Sequence, residues 1–379
     1  MTETRKPENL IELLRQLKAD GVPENEHYTR VQQFLEFKAR DKGVPMNGHF
    51  ELTPLCNLDC RMCYVHLCPE QYSGSDLLPV DTWKSLVLSA RKAGMLSASL
   101  TGGECLTYPG FDALYLYLYE MGVRTHVLTN GLLLDAERIA FFKRYPAEKI
   151  QVSLYGSSDD AYERVTGKRA FTAVYQNVCR ARDEKLPISI AITPNRFMVD
   201  DMDDLLKTAQ ELQIPYNINS NLIPPRPETG RKTEDMTIAQ YVEIFKKRKQ
   251  LNQEELTPLD AMELPDESRT GEQQYGVLCG AGRSSFGIRY DGAMCPCLSL
   301  GETVEYPLEV GFEEAWKRIN ARANQYPMPR ECGDCLYRSV CMHCPAMHKS
   351  APVGHCDTRI CERTKELIMA GFIPMPKQE

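Results

Sequence analysis

Residues 51–65 read ELTPLCNLDCRMCYV, and residues 99–111 read SLTGGECLTYPGF. The first stretch sets Cys56, Cys60 and Cys63 in a C-x3-C-x2-C pattern. A structural zinc site or a closed iron–sulfur cluster takes four protein ligands, and this loop supplies three. Cys68 or His66 would complete a zinc knuckle. Three thiolates on a four-iron cluster instead leave one iron open to amine and carboxylate donors, as a catalytic metal keeps a position free. In the second stretch, two glycines follow a β-type run, where a backbone can approach a ligand that a Cβ would obstruct.

Outward from these stretches, short β-type runs alternate with helical patterns. The expected strands are His49–Leu52, Ser97–Thr101, Thr125–Thr129, Ile150–Leu154, Ile188–Thr193 and Asn217–Leu222. Between them Asp81–Ala93, Asp112–Met121, Asp135–Tyr145, Thr172–Glu184 and Asp201–Leu212 carry helical spacing, several opening on an Asp or Thr suited to an N-cap. Such repetition implies an α/β fold with a parallel sheet. Six units are fewer than the eight of a closed barrel, so the sheet is expected to be an open or partial barrel. Cys56, Gly102, Asn130, Gly156 and Asn195 all follow strand C-terminal ends, the edge where parallel sheets build their sites.

The expected organisation is an N-terminal helical segment over 1–47, the barrel over 48–225, a linker and bridging helix over 226–278, a cysteine-rich domain over 279–361 and a tail over 362–379. Thr237–Gln250 is the bridging helix, its KKRKQ end a solvated C-terminus favoured by the helix dipole. The 379 residues hold 45 Lys plus Arg against 52 Asp plus Glu, a net charge of −7. That balance disfavours non-specific nucleic-acid binding. No stretch approaches the roughly 20 apolar residues of a membrane span, and the start lacks a signal-peptide core. A cytoplasmic protein without a membrane or nucleic-acid partner is expected. Its fifteen cysteines then serve metal ligation rather than disulfides. Cys68 and Cys179 are read as ordinary.

The late cysteines are Cys279, Cys295, Cys297, Cys332, Cys335, Cys341, Cys344, Cys356 and Cys361. Within them ECGDCLYRSVCMHCPA gives C-x2-C-x5-C-x2-C, dense enough for two zinc sites or two clusters.

The C-x3-C-x2-C loop followed one strand later by Gly102-Gly103-Glu104 resembles the radical S-adenosylmethionine (radical SAM) superfamily, built on a partial (β/α)6 barrel. The resemblance implies that Cys56, Cys60 and Cys63 hold a cluster that binds S-adenosylmethionine. It further implies that Glu104 presents a carboxylate to the ligand's amino group, and that Gly102, Gly103, Asn130, Ser153, Arg164, Met62 and Tyr64 contribute to the same site. Met62 replaces the family's usual aromatic, with Tyr64 the nearest ring. Cys105 replaces the commoner proline; it is structural by default and otherwise a candidate thiol near the reaction centre. The late cysteines resemble the family's SPASM extension, which carries two auxiliary 4Fe-4S clusters and makes three in all. Carried over, Cys332, Cys335, Cys341 and Cys356 bind one, with Cys361 able to replace Cys356. Cys279, Cys297 and Cys344 bind the other. There Ser285 stands where some members have a cysteine, so either Cys295 completes the site or an iron is open.

The family's chemistry is reductive cleavage of S-adenosylmethionine to a 5′-deoxyadenosyl radical, which abstracts a substrate hydrogen. With auxiliary clusters, the expected function is an oxidative modification or crosslink of a ribosomally made peptide. An electron donor such as flavodoxin or ferredoxin is implied. The short segment before the barrel leaves peptide recognition to another surface or to a separate leader-binding protein. Pro296 and Leu298 follow Cys295 and Cys297 where sulfatase-maturing relatives carry a catalytic Asp, so that activity is not expected. The alternatives are a small-molecule substrate, or a non-catalytic zinc or iron–sulfur protein.

Overall fold

Six strand–helix units alternate through the first two thirds of the chain. The computed structural model describes residues 7, 9–68, 70–72, 77–219, 222–232, 235–252, 277, 279–327, 329–338, 340–341, 344–350, 355–373 and 375. Most of the segment linking the bridging helix to Cys279, and the last residues of the tail, lie outside these.

Helices α1 (Leu10–Ala19) and α2 (Glu24–Lys42) precede the sheet. The repeating part runs β1 (Asn47–Glu51), α3 (Val80–Lys92), β2 (Ser97–Thr101), α4 (Phe111–Glu120), β3 (Arg124–Thr129), α5 (Ala136–Arg144), β4 (Lys149–Ser153), α6 (Asp159–Thr166), α7 (Phe171–Asp183), β5 (Ile188–Ile192), α8 (Met202–Glu211) and β6 (Tyr216–Ile218). There follow α9 (Ile238–Asn252), β7 (Ser285–Ile288), β8 (Met294–Cys295), α10 (Pro307–Val310), α11 (Phe312–Asn324) and α12 (Thr358–Met369). The strand order is β6-β5-β4-β3-β2-β1-β7-β8. β1 to β7 are parallel, β8 is antiparallel, and the sheet does not close.

All six expected strands form, the sixth only over Tyr216–Ile218. The helices follow from apolar spacing: Trp83, Leu86, Val87 and Ala90 bury one stripe of α3, and Met202, Leu205, Leu206 and Ala209 one stripe of α8. The expected caps are partly corrected. Asp135 does cap α5, accepting from the Arg138 N–H at 2.9 Å. Asp81 and Asp112 instead lie inside the first turn, where a negative charge still meets the dipole favourably. α2 falls within the helical segment expected over 1–47, and three helices escaped the periodicity reading: α6 and α10 are short, and α12 overlaps the cysteine-rich segment and the tail.

The cysteine-rich segment shares the barrel's sheet, because β7 pairs with β1 from Asn47↔Ser285 to Phe50↔Ile288. An aromatic chain makes the same junction in the core. Phe50 meets Trp83 of α3 at 5.9 Å and Phe286 of β7 at 6.0 Å, and Phe286 meets Phe312 of α11 at 5.3 Å.

A buried ion pair locks the stretch after β6 onto this junction. The Arg226 guanidinium donates to both Glu51 carboxylate oxygens, at 2.9 and 2.7 Å, and to the Leu298 carbonyl at 2.9 Å. Its backbone N–H donates to Tyr64 O at 3.1 Å, and the guanidinium lies 5.7 Å from the Tyr64 ring centre. Burial alone would lower the Arg226 pKa, yet the Glu51 charge holds it above its ordinary value. One arginine thus ties the end of β1, the cysteine loop and the C-terminal segment.

Among the described residues no helix is long and apolar enough to cross a membrane. Arg226→Ala, which strands Glu51 in the interior, is expected to lower the unfolding free energy by about 3–5 kcal/mol. The double variant Glu51→Leu/Arg226→Met should recover most of that loss, read from urea midpoints.

Candidate active site

The cysteine loop leaves β1 at the C-terminal edge of the sheet, and its three thiols line one cavity of about 610 Å³. Local geometry aims N–H groups at the sulfurs. Leu58 N donates to Cys56 Sγ at 3.4 Å, and His66 N to Cys63 Sγ at 3.3 Å. Asn130 Nδ2 reaches Cys56 Sγ at 3.6 Å and Asn57 Oδ1 at 2.6 Å, joining the loop to the turn after β3. Burial pushes the Cys56 thiol up to about 12, and burial likewise raises Cys60 and Cys63. Three buried thiols on one wall stay protonated unless a cationic group neutralises them, which is what iron ligation does. The donor set fits a thiolate-held cluster, with the N–H groups placed to bond the ligating sulfurs.

The diglycine has a structural reason beside the one expected. A Cβ on Gly103 would lie 2.2 Å from Leu55 O, and one on Gly102, whose φ is +151°, would lie 2.5 Å from Thr53 O. Gly103 N donates to Thr53 O at 2.7 Å and Glu104 N to Leu55 O at 2.9 Å. What approaches these glycines is the protein's own backbone at the entry to the cysteine loop. Both glycines also border the cavity.

Glu104 faces inward and is not part of the cavity wall. Its carboxylate accepts from Leu106 N at 3.1 Å, Thr129 Oγ1 at 2.9 Å and Asn130 N at 2.7 Å. Burial still raises its pKa against these bonds. Met62, Tyr64, Asn130 and Ser153 do line the cavity. Arg164 is exposed on α6 and does not. Cys105 is fully buried behind the cavity wall, its thiol donating to the carbonyl of the wall residue Leu128 at 3.2 Å. Asn195 is buried in its own turn, its Oδ1 accepting from Phe197 N at 3.1 Å, and Gly156 packs against Ala161.

Two groups of residues were missed by sequence reasoning. Gln151 of β4, Asn217 of β6, and Thr193 and Asn219 just past the ends of β5 and β6 form a polar floor of the cavity, where Asn219 Nδ2 donates to Thr193 Oγ1 at 3.1 Å. Their signal was available as polar residues at alternate positions near strand ends. Arg231, in the stretch read as a linker, donates to Cys60 O at 2.5 Å, contacts His66 Nδ1 at 3.2 Å and pairs with Asp59. Nothing in the spacing marks it, since its partners lie about 170 positions away.

The late cysteines divide into two groups. Cys332, Cys335, Cys341, Cys356 and Cys361 line one cavity of about 230 Å³. There Thr364 Oγ1 donates to Cys341 Sγ at 3.6 Å, and a hydrogen bond from Cys356 lowers the Cys332 thiol. Cys279, Cys297 and Cys344 form the second group. Burial pushes Cys344 up to about 11, and the charges of Cys279 and Cys297 act in the same direction. Cys295 is buried in β8, its thiol directed at Gly287 O at 3.7 Å. Among the described residues no three His, Cys, Asp or Glu surround a point suited to one metal ion. The thiols line cavities, an arrangement suited to a polynuclear group; Met342 and His343 lie outside the described residues.

Residues 50–210 match the radical SAM superfamily. The sporulation killing factor maturation protein SkfB of Bacillus subtilis (strain 168) is 22% identical over 78% of this chain and 69% of that protein. The PqqA peptide cyclase of Rhodopseudomonas palustris is 24% identical over 79% and 81%. Streptococcus suis SuiB bound to S-adenosylmethionine shares the fold with a TM-score of 0.67 at 16% identity, over 92% of this chain and 87% of that one. SuiB bound to precursor peptide SuiA gives 0.65 at the same identity.

Gly103→Ala must displace Thr53–Leu55 and with them the thiol loop. Reconstituted protein should then hold about four irons fewer per chain than wild type, one cubane's worth, measured by iron and sulfide assay.

Proposed function

Since this chain is a radical SAM protein with a SPASM-type extension, we propose that it modifies a ribosomally made peptide by hydrogen abstraction, introducing a crosslink or an oxidised side chain. The observation that carries this reading is the convergence of Cys56, Cys60 and Cys63 with Gly102, Gly103 and Asn130 on one cavity at the C-terminal edge of the sheet. The relatives support the substrate class, being named as a sporulation killing factor maturation protein and a peptide cyclase, and SuiB is described with its precursor peptide.

S-adenosylmethionine, when bound beside a four-iron cluster and given one electron, would release methionine and supply the 5′-deoxyadenosyl radical for hydrogen abstraction from the substrate. Cys56, Cys60 and Cys63 are the proposed cluster ligands. Gly102, Gly103, Asn130, Ser153, Met62 and Tyr64 border the space that the nucleotide would fill. Glu104 acts through Thr129 and Asn130, holding the turn that carries the Asn130 side chain against Cys56 and Asn57. Leu58, Val65, Leu222 and Ile223 give the cavity apolar walls that keep water from a reactive radical, while the Gln151–Asn219 floor offers amide and hydroxyl groups to a peptide backbone. The late cysteines are proposed to hold two auxiliary 4Fe-4S clusters, which would supply a one-electron acceptor for oxidation of the substrate. A one-electron donor of the flavodoxin or ferredoxin type completes the cycle.

Anaerobically reconstituted protein should carry about twelve irons, four per site. With dithionite and S-adenosylmethionine it should release 5′-deoxyadenosine, quantified by chromatography, and Cys60→Ala should reduce that release to background. A colourless protein with stoichiometric zinc, or release unaffected by Cys60→Ala, would overturn the reading.

A further inference from the structure

The cysteine loop reaches the protein surface along α6. Asp59 N donates to Thr166 O and Arg61 N to Val165 O, both at 2.9 Å, so the loop lies directly on the C-terminal end of that helix. Cys60, between them, is buried and borders the cavity, while Asp59 and Arg61 are exposed. The surface here is cationic. Arg61, Arg164 and Lys168 are exposed, and none of the three forms an ion pair among the described residues. The acids beside them are held by other cations: Asp160 and Glu163 by Arg169, and Asp59 by Arg231 and His66. Phe197, half-buried, lies 5.0 Å from the Arg61 guanidinium and 4.8 Å from that of Arg196. An aromatic ring among arginines is the composition favoured at protein–protein contacts. In a chain of net charge −7 this face runs against the overall balance. None of these side chains borders the cavity, so the face suits something that stays outside.

We propose that the surface formed by Arg61, Arg164, Lys168 and the turn of Arg196 and Phe197 is the docking face for an acidic one-electron carrier protein. The inference rests on the reading of Cys56, Cys60 and Cys63 as the ligands of the cluster that binds S-adenosylmethionine. A carrier seated here is one residue from Cys60, because Arg61 is its covalent neighbour, and electron tunnelling weakens steeply with distance. The step served is the transfer of one electron: the carrier is oxidised by one, the cluster is reduced by one, and no bond is made or broken. The net negative charge of the chain repels an acidic protein in general, so a local cationic face both attracts the carrier and selects its orientation. Arg164, expected beside the nucleotide, thereby acts on the outside of the same site.

The test uses the anaerobically reconstituted protein with two acidic carriers as probes, a flavodoxin and a ferredoxin. At least one should bind, read by titration of the oxidised carrier, and its affinity should fall as salt rises from about 50 to about 300 mM and the Debye length shortens. The same carrier, reduced, should replace dithionite in driving 5′-deoxyadenosine release. Arg164→Glu/Lys168→Glu should weaken both binding and carrier-driven release by about tenfold or more, while dithionite-driven release and iron content stay at the wild-type value. Lys92→Glu, at the C-terminal end of α3, should change neither readout. Failure of both carriers to bind, an affinity indifferent to salt, or a double variant that binds and turns over like the wild type overturns the proposal. Where the reversal disturbs the fold by circular dichroism, Arg164→Gln/Lys168→Gln is measured in its place; a loss of affinity of about threefold supports the docking face, and unchanged affinity overturns it. A wild type that releases no 5′-deoxyadenosine with dithionite is a distinguishable failure, that of the cluster reading, and the carrier titration still decides the surface.

Discussion

Two backbone hydrogen bonds hold the thiol loop to the sheet, and they form only because residues 102 and 103 have no Cβ. Thr53 O and Leu55 O occupy the space that side chains there would fill. With the loop entry pressed against the end of β2, Cys56 falls beside the turn after β3, where Asn130 bonds both it and Asn57. The Glu104 carboxylate beneath reinforces that turn. The active-site wall is thus assembled from three consecutive strand ends, each braced by its neighbour's main chain. A substitution in the diglycine acts on the cysteines through the backbone.

Two arginines from the stretch after β6 supply the second constraint. Arg231 holds the Cys60 carbonyl, and Arg226 pairs with Glu51 in the interior while bonding Leu298. A buried ion pair contributes little net stability compared with an apolar substitute, but losing one partner is costly. Its consequence here is positional. β7 already continues the sheet beside β1, and the Arg226 contacts add a polar lock at the same junction. The thiol loop and the cysteine-rich segment are therefore referenced to one strand.

Electrostatics links these features to the proposed chemistry. Burial raises the pKa of each thiol in the loop, so the ligating form needs cationic compensation. N–H groups aimed at Cys56 and Cys63 favour the thiolates once that compensation is present. The same logic extends to the late cysteines, whose thiols border cavities.

The six parallel strands, the cysteine loop and its approach to the diglycine were legible because each depends on residues close in sequence: alternation within a strand, helical spacing within a crossover, three ligands within one loop. The two groups of late cysteines were legible from the family resemblance. The tertiary structure decided what depends on distant packing. It turned Glu104 inward, left Arg164 on an exposed helix face and buried Cys105 in the core. It also brought Arg226 and Arg231 from an apparent linker to the cysteine loop, and set Cys356 against Cys361. Local spacing encodes which side chains share a loop or a face, whereas pairing across some 170 residues depends on how helices and strands close on one another, which no short pattern records.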